Sequence, residues 1–199
     1  MIDNPLSKKL ESFRVLLASG SPRRQELLSD IGVSFEQVHN KVEETYPQHL
    51  KAGDISEYLA QLKSSNLRQN LKKNEILITA DTVVWHKGVS LAKPADSAEA
   101  TQMLRQLSYD WHEVITSVCI TTHEKQKIIS CTTEVLFRKL EEDEIQYYIS
   151  AFKPLDKAGA YGIQEWLGNI AIEEIRGSYS NVVGLPTHLV YKTLMDMAS

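Results

Sequence analysis

The sequence predicts an α/β fold, on three stretches where strand patterns alternate with helical ones. A short apolar run, Val15 to Ala18, passes through Ser-Gly-Ser-Pro into a segment with helical spacing. A longer β-type run, Glu75 to Trp85, is answered across a tight turn, and an alternating stretch, His112 to Thr122, is answered by Lys127 to Arg138.

Composition sets the frame for these elements. With 199 residues, 42% hydrophobic and 24% charged, the chain has the balance of an ordinary soluble globular protein. It is long enough to bury a core, as one domain over residues 1–199 or as two lobes about a cleft. A net charge of -4 argues against a general nucleic-acid binder, so local basic residues read as a site. Cys119 and Cys131 lie too far apart for a Cys-x-x-Cys motif, and no basic leader opens the chain. No run approaches the roughly 18 apolar residues of a membrane span, so the expectation is a cytoplasmic protein with no membrane partner.

In order along the chain, residues 1–13 are polar and mixed and read as a short arm before a strand at about Arg14 to Ala18. Ser21 then suits an N-cap and Pro22 the first helical position, Leu27, Leu28 and Ile31 form a buried face, and Gly32 ends the helix. Ser34 to His39 reads as a second strand, followed by a polar loop with Glu43 and Glu44 that ends at Pro47. Asp54-Ile55-Ser56-Glu57 resembles a capping box opening a helix that runs to about Leu71, with Ile55, Leu59 and Leu62 on its apolar face. His86-Lys87-Gly88 is a hairpin turn and Val89 to Leu91 the return strand. Asp96 caps the next helix, with Glu99 at N3 and Ala100, Met103, Leu104 and Leu107 inside. The two long alternating strands meet at a turn over 123–126, and Glu141 to Phe152 forms a helix with an acidic first turn. Lys153 to Gln164 has little periodicity and two glycines, as in a tight loop close to a ligand. Asn169 to Ile175 reads as a strand, and Gly177 to Pro186 leads into a last helix carrying Leu189, Val190, Leu194 and Met197.

Against this frame several polar residues stand out. Arg23 and Arg24 fall in the first turn of a helix, where the macrodipole makes a cation unfavourable by about 0.3–1 kcal/mol and a bound anion favourable. Free backbone N–H groups, the hydroxyls of Ser19 and Ser21, flexible Gly20 and two guanidiniums converge there as a phosphate requires; the plain alternative is a surface helix with solvated arginines. Asp81 interrupts an apolar strand, so it needs a partner, a metal, a water to activate or an exposed strand end. Lys63 sits at the edge of an apolar helix face, from which it can snorkel to solvent or into a cleft. Pro94 keeps Lys93 extended, free to project back over the hairpin. The Gln164 amide offers one donor and one acceptor, which suits the edge of a pyrimidine or plain solvent. Six scattered histidines show no metal-ligand spacing, and His112 reads as structural.

Ala18-Ser19-Gly20-Ser21-Pro22-Arg23-Arg24 followed by Glu26-Leu27-Leu28 resembles the opening signature of the Maf family of nucleoside triphosphate pyrophosphatases. Ala80-Asp81-Thr82-Val83-Val84, Lys93-Pro94, the stretch from Lys153 to Gln164 and the Gly177 to Pro186 segment are similar to its further motifs, so the resemblance covers about residues 14–195. It implies a Maf/Ham1-like fold, an elongated twisted mixed sheet flanked by helices with a central cleft, and a homodimer. The implied reaction converts a nucleoside triphosphate and water to the monophosphate and pyrophosphate with Mg2+ or Mn2+. Carried over by position, Asp81 is the general base or a metal ligand and Glu44 a second metal ligand, while Ser19, Arg23, Arg24, Lys63 and Lys93 bind phosphate. Arg23, Thr82 and Gln164 match the branch acting on dTTP and UTP, the alternative being the branch acting on methylated guanosine nucleotides. Thr79, Ala92 and Glu165-Trp166 depart from the usual pattern. The family is also associated with inhibition of septum formation, so a nucleotide-binding regulator is the competing class.

Overall fold

A computed structural model describes residues 4–198. Seven strands among them form one mixed sheet flanked by helices. The strands are β1 (Arg14–Leu17), β2 (Glu36–Gln37), β3 (Glu75–His86), β4 (Val89–Leu91), β5 (Trp111–Thr121), β6 (Gln126–Phe137) and β7 (Ile172–Arg176). Their order is β2-β1-β3-β5-β6-β7, with β4 folded back on β3. β1 runs parallel to β2 and β3, and every other pair is antiparallel.

The register of β3 creates the central feature. On one edge β1 pairs with Glu75 to Ile78 and β4 with Val84 to His86, while on the other edge β5 pairs continuously from Leu77 to Trp85. No strand among the described residues pairs with 79–83 on the first edge. β1 stops there because Ser19-Gly20-Ser21 turns the chain and Pro22, which has no N–H to give a ladder, starts a helix instead. The gap is therefore written into the same residues that open the first long helix.

Two apolar clusters flank that gap. Ile76, Ile78, Ala80, Val118 and Ile120 of β3 and β5 pack with Leu28 of α2 (Pro22–Asp30) and with Val190 and Leu194 of α8 (Thr187–Met197). Beyond the gap, Val84, Val114, Val135 and Phe137 pack with α4 (Ser97–Leu107), α5 (Glu142–Phe152) and α6 (Trp166–Ala171). α3 (Gly53–Arg68) covers the opposite face of the sheet through Ile55 and Leu59 against Val83. It approaches closely because hydroxyls replace bulky side chains beneath it. Thr79 Oγ1 donates to the Ala60 carbonyl (2.7 Å), and Ser56 and Ser64 bond Ser117 and Thr121 at 2.6 and 2.7 Å.

Several boundaries differ from the sequence reading. The N-terminal arm contains α1 (Pro5–Lys9), capped by Asn4, because Leu6 and Leu10 bury in the first cluster; residues 1–3 of that arm lie outside the described residues. The second strand shortens to two residues, Glu36 and Gln37, which pair with Leu16 and Leu17. α3 begins at Gly53 after Ala52, with no side-chain cap, so Asp54 lies inside the first turn instead of capping it. The strand expected over 169–175 starts only at Ile172, since α6 buries Leu167 and Ala171 first. That helix depends on Gly168, where an added Cβ would stand 2.0 Å from the Ile163 carbonyl oxygen. A short helix not foreseen, α7 (Tyr179–Val183), is capped by Ser178 and ended by Gly184 at φ +124.

Candidate active site

The gap in the sheet opens into a cleft of about 560 Å³ lined by all nine residues singled out from the sequence: Ser19, Arg23, Arg24, Glu44, Lys63, Asp81, Thr82, Lys93 and Gln164. Five cations and three carboxylates line it, so its walls are net positive in a chain that is net negative.

Asp81 is 7% exposed on the α3 side of β3, with its carboxylate reached by one cation. Lys63 Nζ lies 2.7 Å from Asp81 Oδ1 and 3.1 Å from Glu44 Oε1. Lys63 reaches them from the third turn of α3, and Glu44 arrives on the loop before it, where the Asn40 side chain donates to the Lys63 carbonyl. Burial raises the Asp81 pKa above the ordinary aspartate value; Lys63 and Arg24 oppose this, and Glu44 adds to it. Burial pushes Glu44 up as well, yet Lys63, Lys93 and Arg24 outweigh it and hold that carboxyl below its ordinary value. The two acids thus diverge, one a firm anion and the other biased to take a proton, which is the separation general-base chemistry uses.

The two arginines part company. Ser21 caps α2 by accepting from the Arg24 N–H, and the Ser19 hydroxyl accepts from the Ser21 N–H (3.2 Å). Arg23 projects along the cleft and pairs with Asp156 at 3.3 Å. Arg24 turns inward and spends Nε on the Gly184 carbonyl (2.8 Å), one terminal nitrogen on the Ala80 carbonyl (3.0 Å) and the other on Thr82 Oγ1 (2.9 Å). Only one N–H on each terminal nitrogen remains for a ligand. Thr82 shares a 2.9 Å bond with Thr116, whose hydroxyl donates to the Asn181 carbonyl at 2.9 Å. Lys93 is exposed at the rim with no salt bridge among the described residues, and Gln164 is exposed with its amide unpaired there.

His112 is structural, as its sequence context suggested. Its Nε2 bonds the Tyr161 hydroxyl at 2.7 Å, its ring packs edge-on to Phe137 and Tyr161, and burial lowers its pKa to about 3. Among the described residues no three His, Cys, Asp or Glu side chains gather as a metal cluster. Sequence reasoning missed Asp156, which holds Arg23, and Thr116 and Asn181, which anchor Thr82. Thr116 carried a usable signal, since the register of two long strands sets it opposite Thr82.

Residues 14–197 match the family model described as Maf-like protein. The chain belongs to the Maf family. It is 50% identical over 192 residues to a protein of Christiangramia forsetii named dTTP/UTP pyrophosphatase, a match spanning 96% of this chain and 98% of that one. A Flavobacterium johnsoniae protein of the same name is 48% identical over 192 residues, spanning 96% and 99%. Among solved structures, the Staphylococcus aureus Ham1 protein overlaps 62% of this chain and 71% of its own at a TM-score of 0.44 and 16% identity. Within this Maf protein, the motifs that suggested the family are the ones the fold brings to a single cleft: the β1–α2 turn, the middle of β3, Lys93-Pro94 and the loop ending at Gln164.

Proposed function

We propose that this Maf protein hydrolyses dTTP and UTP to the nucleoside monophosphate and pyrophosphate, with Asp81 as the general base. The observation that carries the reading is a buried carboxylate, raised in pKa, opening into a cleft with cationic walls. The names of relatives half identical to it supply the bond that is cut. In the reaction a water oxygen bonds to the α-phosphorus, the bond from that phosphorus to the bridging oxygen breaks, and the water proton passes to Asp81. Pyrophosphate leaves with the electron pair.

The triphosphate lies over the start of α2, where free N–H groups, Ser19 and Arg23 receive its oxygens and Lys93 closes over it from the rim. Lys63 trades one carboxylate for phosphate as substrate enters. Arg24 and Thr82 hold the strand edge against α2 and meet the ligand only with what their internal bonds leave. Gln164 faces the base. A nucleotide-binding regulator would need the cationic walls but has no use for a buried acid among them.

Asp81 and Glu44 fit a divalent cation: Mg2+ and Mn2+ take oxygen donors, and Mg2+ commonly uses one or two carboxylates with substrate phosphates completing the shell. Bound there, the ion would polarise phosphoryl oxygens and acidify water. Asp81→Asn tests the reading: it should keep the fold by circular dichroism and lose nearly all pyrophosphate release from dTTP, and unchanged turnover would remove Asp81 from the reaction.

A further inference from the structure

One cation in the cleft wall is used by none of these steps. Lys157 is 8% exposed, and its ammonium is held by Asp156 Oδ1 at 2.7 Å and Glu165 Oε1 at 2.9 Å. Each of its partners reaches further. Asp156 pairs with Arg23 at 3.3 Å on the phosphate side. Glu165 accepts from the Tyr148 hydroxyl, which itself accepts from the Gly162 N–H at 3.0 Å. Burial and the Glu165 carboxylate push the Tyr148 pKa well up, so that hydroxyl keeps its proton and remains a donor.

The loop that these contacts frame is pinned at several further points. Gly159, at φ +68, lies so close to Val84 that an added Cβ would come within 3.0 Å of it. A Cβ on Gly162 would stand 3.0 Å from the Glu165 carboxyl carbon, and one on Gly168 would strike the Ile163 carbonyl. Gln164 is the exposed residue in the middle of this fixed segment, between Gly162, whose N–H donates to the Tyr148 hydroxyl, and Glu165, which Lys157 holds.

A Gln amide by itself chooses poorly among bases. Turned over, it offers donor and acceptor in the opposite order, and so can serve thymine, cytosine or adenine. Excluding the larger purines requires a wall that does not retreat. We propose that Glu165, locked between Lys157 and Tyr148, is a specificity-positioning residue that fixes this loop as a wall sized for a pyrimidine, with Asp156 joining Arg23 to the same frame. The inference rests on the reading above that the cleft takes dTTP or UTP with its base toward Gln164.

The test compares pyrophosphate release from dTTP, UTP, dATP and dGTP by the wild-type protein, Glu165→Gln, Lys157→Met and the double variant. In each single variant the kcat/KM for dATP relative to dTTP should rise about tenfold, with the dTTP loss falling mainly on KM. The double variant should shift no further than either single one, because both break one link. Tyr148→Phe keeps the ring and removes only the hydroxyl, so it reads the same network if Lys157→Met does not fold, and it should move selectivity in the same direction. Selectivity unmoved in Glu165→Gln and Tyr148→Phe, with melting temperature alone lowered, overturns the proposal. Gln164→Ala run alongside separates the two readings. If it alters base preference while Glu165→Gln does not, the base contact stands and the wall falls; if only Glu165→Gln alters it, the wall stands and the amide contact falls.

Discussion

Lys63→Met removes the one ammonium that sits against a buried aspartate, and its cost can be worked from the contact. Lys63 and Asp81 are 2.7 Å apart with side chains 14% and 10% exposed, so solvent screens the pair little. Removing one partner of such a pair leaves an uncompensated charge, at a cost of about 3–5 kcal/mol when burial is complete. The open cleft admits water, which puts the expectation at the low end, about 3 kcal/mol. In a chain of this length that is a drop in melting temperature of roughly 6–12 °C. Asp81→Asn removes the buried charge instead and leaves Lys63 its bond to Glu44, so it should lie within about 1 kcal/mol of wild type. The double variant should recover most of the Lys63→Met loss, a coupling of about 2 kcal/mol. The pH dependence has a definite sign. Asp81 has a raised pKa in the folded protein, so the folded state binds the extra proton, and stability falls as pH climbs from the ordinary aspartate value through the raised one. Lys63→Met removes an influence that lowers that pKa, so its deficit should be large at pH 8 and shrink at pH 5. Urea and thermal unfolding of the four proteins at both pH values measure all of this. A Lys63→Met protein that melts with wild type at pH 8, or a double variant that recovers nothing, refutes the idea of an anionic Asp81 held by Lys63.

Other expectations follow from the same contacts. The acid limb of the kcat/KM profile for dTTP should lie above the ordinary aspartate range and move higher still in Lys63→Met, measured by pyrophosphate release across pH. Thr116→Val, nearly isosteric, leaves the Thr82 hydroxyl without its acceptor and the Asn181 carbonyl with only the Gly184 N–H, and should cost about 1–3 kcal/mol in urea unfolding while raising KM for dTTP. His112 is neutral when folded, with its pKa lowered from 6.5 to about 3, so it withdraws stability as pH falls through that interval. His112→Phe should therefore flatten the loss of stability between pH 6 and pH 4, read as the change in urea midpoint.

What the sequence made legible was whatever short-range chemistry decides. Ser21, Pro22 and Gly32 bound α2 as their capping preferences require, and Lys87 and Gly88, both at positive φ, form the two-residue hairpin turn between β3 and β4. Misread segments are those where distant contacts overrule local pattern. Leu6 and Leu10 look like stray apolar residues in a polar arm until α8 and the β3 face give them somewhere to bury. The 169–175 stretch has strand-like composition, but Gly168 lets α6 press onto the Ile163 carbonyl and takes the first three of those residues into a helix. In the cleft, the nine residues singled out from the sequence do come together, while their bonding, and the supporting Asp156, Thr116 and Asn181, were not legible. Nothing local distinguishes Arg23, which lies along the cleft, from Arg24, which is bound inward to two carbonyls and a hydroxyl.

That inward arginine belongs to a polar seam, and the seam explains why a cleft persists between two apolar clusters. Along one face of the sheet Ala80 and Val118 belong to one cluster and Val84 and Val114 to the other, and Thr82 and Thr116 fall between them. The hydroxyl protons there can run only one way. Thr116 gives its proton to the Asn181 carbonyl, so Thr82 must give its own to Thr116 and accept from Arg24. Thr82 therefore has a lone pair but no proton to offer a ligand, and it acts on the cleft through the guanidinium it positions. An apolar pair at 82 and 116 would let the two clusters merge and the strand edge close on itself. The hydroxyl pair keeps that edge open to Arg24, and the carboxylate one residue along β3, on the opposite face, keeps its approach to Lys63.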